Sequence, residues 1–375
     1  MAGIYIHIPF CKQACHYCNF HFSTLLSYKE RVVTAIAKEL FLRKDELGNE
    51  AIESIYFGGG TPSLLSKQEL ELIFNTLYQH YNLSQVKEIT LEANPDDLSM
   101  SYLSHLAQTP INRLSIGIQS FDDAHLQFMN RAHSAKEAMQ CVKMAQDKGL
   151  QKISIDLIYG IPGMGKELWK QNVETAINLG VQHISSYCLT IEPKTVFGQQ
   201  LKKDKFELMP EEDAETQFLD LIQITEANGF EQYEISNFAK SNAYALHNTN
   251  YWRGVSYLGV GPGAHSHFPG VRMWNISNNQ QYLRQIEVNI LPLEKENLSL
   301  DNQFNEWVMT GLRTQWGLSL NEGKRRFGSD RMEALNESLK VYILSGKVLV
   351  NGDQIVLDKL ARFLADGIAS AAFIV

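Results

Sequence analysis

Basic charge is scarce in this chain: 34 Lys and Arg stand against 42 Asp and Glu, for a net charge of −8. Without a cationic surplus to neutralise phosphates, nucleic acid is excluded as the principal partner. Cysteine is scarcer still, five in 375 residues. That is too few for a disulfide scaffold, and the odd count suits a reducing cytoplasm. No apolar run reaches the roughly 18 residues that a membrane-crossing helix needs. The opening MAGIYIHIPF has no Lys or Arg before its apolar stretch and does not read as a secretory signal. Low-complexity linkers and internal repeats are also missing. What remains is a chain with 44% hydrophobic residues, enough to fill the core of one large or two ordinary domains.

Up to about residue 191, short β-like runs alternate with amphipathic helical patterns, which points to βα units around a parallel sheet. The runs fall at 3–10, 52–57, 88–94, 113–119, 152–159 and 183–191. Ser66 with Glu69 and Ser134 with Glu137 are capping-box signatures ahead of two of the helices. Cys141 lies on the apolar face of the second of these helices and Cys188 in the sixth run, so both read as core. A helix over 211–228 stops at Gly229, and a Gly- and aromatic-rich stretch follows to about residue 270. Helical segments resume beyond Asp301, including 330–344, and end in VLVNGDQIVL, whose Asn351-Gly352 marks a hairpin. Helices followed by a small hairpin give a winged-helix-like appendage. In an acidic chain its role is structural or docking rather than DNA-binding.

Three of the five cysteines, Cys11, Cys15 and Cys18, sit in C-x3-C-x2-C spacing. Offsets of four and seven share one face of a helix. Here, however, the segment follows Pro9, leaves a strand and is crowded with Lys12, Gln13, His16 and Tyr17. A metal site fits better. Zinc could take Cys11, Cys15, Cys18 and His21 as a closed set; an iron–sulfur cube held by three thiolates would keep one iron open for chemistry. Beyond the second run, FGGGTPS (57–63) lets backbone approach a ligand without Cβ atoms in the way. Glu92, Gln119 and Asp156 then oppose apolar positions on three successive runs. Singly each is an ordinary satisfied polar group, but together, near the strand ends where βα loops build barrel sites, they favour a shared ligand.

A C-x3-C-x2-C loop after the first strand of a βα protein resembles the radical S-adenosylmethionine (SAM) superfamily. The resemblance implies a partial (β/α)6 barrel over residues 1–230, with a [4Fe–4S] cluster on Cys11, Cys15 and Cys18. It also implies S-adenosylmethionine, cleaved by electron transfer from the cluster. Gly59, Gly60 and Thr61 match the element that contacts the methionine amino group. Tyr5, Tyr17, Glu92, Gln119, Arg131 and Asp156 are the further cofactor contacts implied by the oxygen-independent coproporphyrinogen dehydrogenase branch. That branch carries a fourth cysteine where this chain has Phe20.

HNTNYW (247–252) and YLGVGPGAHS (257–266), in a connecting segment over 231–300, are similar to motifs of the haem-chaperone family within the same branch. A C-terminal domain of winged-helix type over 301–375 agrees with it. This likeness implies haem as cargo, with His247 as candidate iron ligand and His265 and His267 as further candidates. It implies delivery to respiratory haemoproteins and no coproporphyrinogen oxidation, while leaving oligomeric state and peripheral membrane contact open. A radical enzyme acting on a tetrapyrrole is the alternative function, and a structural zinc protein the third.

Overall fold

Strands whose alternate residues are isoleucine, leucine or phenylalanine bury one face only, and the amphipathic stretches between them supply the helices that cover it. In the computed structural model, which describes residues 1–374, six parallel strands lie side by side in sequence order. They are β1 (Ala2–Ile8), β2 (Ile52–Gly59), β3 (Glu88–Ala93), β4 (Arg113–Gln119), β5 (Lys152–Tyr159) and β6 (His183–Cys188). The first stops before Pro9, which has no amide to offer a ladder. The sixth ends at Cys188 rather than at residue 191.

The sheet does not close. β7 (Phe230–Glu234) and β8 (Asn237–Lys240) extend it antiparallel beyond β6. At the other edge β9 (Tyr257–Val260) runs parallel to β1, and β10 (His265–Phe268), β11 (Val271–Asn275) and β12 (Leu293–Asn297) follow antiparallel. The outcome is one open twelve-stranded sheet ordered β12-β11-β10-β9-β1-β2-β3-β4-β5-β6-β8-β7.

The two faces of its central strands differ sharply. Ile4, Ile6, Phe57, Leu91, Ile116 and Ile155 are fully buried against the helices. The helices Lys67–His80 and Ala135–Asp147 both begin with the expected capping boxes, and Cys141 is buried under the second. Cys188 is only half-buried, at the margin of that core. The opposite face, carrying Tyr5, His7, Thr90, Glu92, Ser154 and Asp156, lines open space.

One buried charge pair fastens the helix Lys29–Leu42 to the β9 edge. Arg43 Nη1 donates to Glu39 Oε1 at 2.9 Å and to the Gly259 carbonyl at 2.7 Å, while Glu39 Oε2 accepts from the Gly261 amide at 2.8 Å and the Tyr282 hydroxyl at 2.6 Å.

Residues after Ser299 build a second core around Phe304, Val308, Leu312, Leu335, Leu339 and Ile355. It consists of the helices Leu300–Leu312, Leu320–Phe327 and Ser329–Leu344 with a small sheet of β13 (Leu318–Ser319), β14 (Val348–Asn351) and β15 (Gln354–Leu357). Asn351 still pairs with Gln354, so the hairpin turn is Gly352-Asp353. This unit docks through the pairs Ile235 N to Arg313 O and Gln315 N to Tyr233 O, both 3.0 Å. No helix among the described residues is long and apolar enough to cross a membrane.

Candidate cofactor and ligand site

The open face of the sheet walls a cavity of about 560 Å³. Its rim is Asn19, Phe20 and His21, which follow the cysteine loop, and its floor is the helix Leu246–Trp252, laid across the start of the strands.

The cysteine loop is tied down along its length. The Cys11 amide donates to the Ser23 carbonyl at 3.1 Å, the His16 amide to Met129 O at 3.1 Å, and Asn130 Nδ2 to Ala14 O at 2.7 Å. Asn130 adopts φ 58°, a left-handed turn that asparagine tolerates. The turn brings Arg131 in behind the loop, where Nη1 donates to Cys15 Sγ at 3.3 Å and Nη2 to Asn94 Oδ1 at 2.7 Å and Gly117 O at 2.5 Å. Tyr17 packs against the main core, its hydroxyl pushed up by burial and by neighbouring Cys15 and Cys18. Burial likewise pushes the Cys11 thiol to about 12, against a hydrogen bond with Thr61. His21 does not join the cysteines: Nε2 bonds to Asn279 Oδ1 at 2.7 Å, so the four-ligand zinc set is not assembled.

The glycine run backs directly onto this loop. A Cβ on Gly60 would stand 2.6 Å from Phe10 O, and Gly59 adopts φ 108° with the His7 ring against it. The Gly59 amide donates to Glu92 Oε2 at 3.1 Å, and Glu92 Oε1 accepts from Tyr56 OH at 2.7 Å. Asp156 accepts from Ser115 Oγ at 3.2 Å. Burial raises both acids, Glu92 to about 7 with a further push from Asp156, and Asp156 to about 6. Gln119 ends β4 at a register shift with φ 71°, and its amide folds over Gly117. Tyr5 OH donates to His7 Nδ1 at 3.0 Å, the other ring nitrogen of His7 being held by the His21 carbonyl at 2.9 Å.

On the floor, His247 Nδ1 bonds to Ser54 Oγ at 2.9 Å, and its amide and that of Leu246 both donate to the Glu88 carboxylate at 2.9 Å. The imidazole stacks on Tyr56 with centroids 5.1 Å apart. Burial lowers it to about 4, so the ring is neutral at physiological pH. Nε2 has no hydrogen-bond partner among the described residues. His265 also lines the cavity, stacked on Trp274; His267 stacks on Tyr257 and does not line it. Phe20 is 74% exposed at the rim. Sequence reasoning missed Tyr56, Ser54, Glu88, Thr90 and Arg113, whose only signal was a polar residue opposite an apolar one on a strand.

Residues 5–187 match the family described as Radical SAM superfamily, and residues 298–364 the HemN C-terminal domain. The haem chaperone HemW of Bacillus subtilis is 34% identical over 331 residues, covering 88% of this chain and 87% of that protein. This chain belongs to the HemW family of radical SAM proteins. The HemW of Lactococcus lactis is 32% identical over 354 residues, with 93% and 91% covered. The coproporphyrinogen III oxidase HemN of Escherichia coli superposes with a TM-score of 0.85 at 22% identity, covering 99% of this chain and 90% of that one. That likeness establishes the fold.

The HemW family's radical SAM part implies a [4Fe–4S] cluster and S-adenosylmethionine, and the residues fit both. Three thiols on one anchored loop, with a guanidinium on Cys15, suit a thiolate-rich centre. No three His, Cys, Asp or Glu side chains among the described residues converge on a single ion. A cube takes one thiolate per iron, so its ligands stand further apart than those of one zinc. The Cβ-free cradle at Gly59 and Gly60 beside two buried acids fits a cationic ligand.

Proposed function

We propose that this chain carries haem in its cavity with His247 Nε2 on the iron, and passes it to respiratory haemoproteins. One observation carries the reading. His247 is neutral, fixed at Nδ1 by Ser54 and by its amide on Glu88, and keeps Nε2 for an acceptor. A metal-ligating histidine is held in this way, through its second nitrogen. The relatives named haem chaperones support the same conclusion. Cys11, Cys15 and Cys18 hold the cluster, and Gly59, Gly60, Thr61, Glu92, Gln119 and Asp156 hold S-adenosylmethionine, with Tyr5, Tyr17 and Arg131 behind them. When bound, the reduced cluster and S-adenosylmethionine together supply one-electron cleavage of a sulfonium. Arg131 donates a hydrogen bond to the Cys15 sulfur, and Glu92 accepts from an ammonium group.

Haem titration tests the proposal: wild type shows a Soret shift that His247→Ala weakens at least tenfold in affinity. Because the ring is already neutral well above pH 4, His247 itself adds no pH dependence to the titration between pH 6 and 8. No Soret shift in wild type sinks the reading. A single cavity reaching from Asn19 and Phe20, just after the cysteine loop, to His247 also suits an enzyme acting on a tetrapyrrole, and anaerobic coproporphyrinogen turnover by wild type would establish that second reading in its place.

A further inference from the structure

Arg113 opens β4 and faces the cavity floor, 4% exposed. Nη1 lies 3.7 Å from Glu88 Oε2 and 3.4 Å from the Ala243 carbonyl. Nη2 is buried with no hydrogen-bond partner among the described residues. Thr90, its ladder partner on β3, is 1% exposed, lines the same cavity, and its Oγ1 is equally unpartnered. Neighbouring acceptors are already engaged. The Glu88 carboxylate holds the Leu246 and His247 amides, and His183 is bonded to Ser154 Oγ at 2.5 Å and to Tyr233 OH at 2.8 Å. Two adjacent buried donors, one of them cationic and forked, match a carboxylate.

We propose that Arg113 and Thr90 form a carboxylate-binding site on the cavity floor, occupied by a propionate of the tetrapyrrole whose iron His247 binds. The ligand's identity rests on the haem reading; the carboxylate chemistry does not. His247, through its amide, and Arg113, at 3.7 Å, both meet the Glu88 carboxylate, so iron ligand and propionate anchor are neighbours. The methionine carboxylate of S-adenosylmethionine is the other source of the same chemistry. Gln119 of the cofactor cradle, however, closes β4 while Arg113 opens it, roughly 20 Å away along an extended strand.

The test is fluorescence titration of full-length protein with metal-free protoporphyrin IX and with its dimethyl ester, alongside S-adenosylmethionine calorimetry. Wild type should bind the diacid roughly ten- to a hundred-fold tighter than the diester. Arg113→Gln should erase that preference, with Thr90→Val and Arg113→Lys falling between. Equal binding of diacid and diester by wild type overturns the site without any variant, even if Arg113→Gln fails to fold. A preference that persists in Arg113→Gln overturns it as well. Weakened S-adenosylmethionine binding in Arg113→Gln, with porphyrin preference intact, transfers the site to methionine and overturns the propionate assignment. A diacid preference lost in Arg113→Gln, in a wild type that gives no haem Soret shift, keeps the carboxylate site while the haem reading falls. If neither porphyrin binds, both fall.

Discussion

Glu92 is a carboxyl group placed where its charge is poorly solvated, which holds it near pH 7. An ammonium brought against it favours the ionised form, so S-adenosylmethionine binding should release a proton at neutral pH. Calorimetry in buffers of different ionisation enthalpy should show that release in wild type. Glu92→Gln should abolish it and lose about 1.5–3 kcal/mol of binding, as expected for a charged hydrogen bond. The same residue sets a pH dependence of stability. Its folded value, about 7, lies above the unfolded 4.5, so its contribution is fully present below the unfolded value and is lost as pH rises through 7. Glutamine does not titrate. Glu92→Gln should therefore gain stability relative to wild type between pH 5 and pH 8, by at most about 1.4 kcal/mol per unit, read by denaturant unfolding at the two pH values. Glu92 and Asp156 were legible because isoleucine and leucine alternate with them. Arg113 and Thr90 obey the same alternation but read as a strand-start charge and a β-former. Only the fold reveals that their donors have no partner. Arg131 reads by itself as a solvated helix-end charge and is singled out only by the family resemblance; its grip on Cys15 depends on the left-handed turn at Asn130, which no spacing announces.

Gly60 governs the cysteine loop as an element. Its amide donates to Ile8 O at 2.9 Å, and a Cβ there would meet Ile8 O, Phe10 O and Phe10 N within 2.8 Å. All three atoms are backbone, so the strand end and the loop must move together. Gly60→Ala should cost about 1–3 kcal/mol, as overpacking does, and should lower iron bound per chain after anaerobic reconstitution while far-UV circular dichroism stays unchanged. Full iron loading would show that the loop has slack. The central strands and both capping boxes are local patterns and could be read in advance. Strands β7 to β12 could not: Tyr257–Val260 and His265–Phe268 are four residues each, rich in glycine, histidine and aromatics; the first becomes a strand by pairing with the distant Gly3 to Ile6, and the second by extending the edge so formed. Pairing of that kind is tertiary context overriding weak local preference.

At the scale of the molecule, the helix Leu246–Trp252 forms the cavity floor on one side and meets the C-terminal unit on the other. Arg253 sits 4.2 Å over the Trp316 ring and Arg313 5.1 Å over Trp252. Removing one such contact should loosen the floor by about 0.5–2 kcal/mol. Trp316→Ala should therefore weaken haem affinity several-fold in a Soret titration while iron content stays at the wild-type level; a parallel loss of iron would mean general unfolding. The sheet itself carries a further consequence. Its central strands bury isoleucine and leucine on one face and leave the other to polar groups around open space, so the second layer of packing comes from whatever occupies that space. Occupants that bind only the folded chain stabilise it by about 2.7 kcal/mol at a hundred-fold excess over Kd. Empty and loaded molecules then differ in how often they open to a protease, and resistance to digestion becomes a gauge of cargo supply.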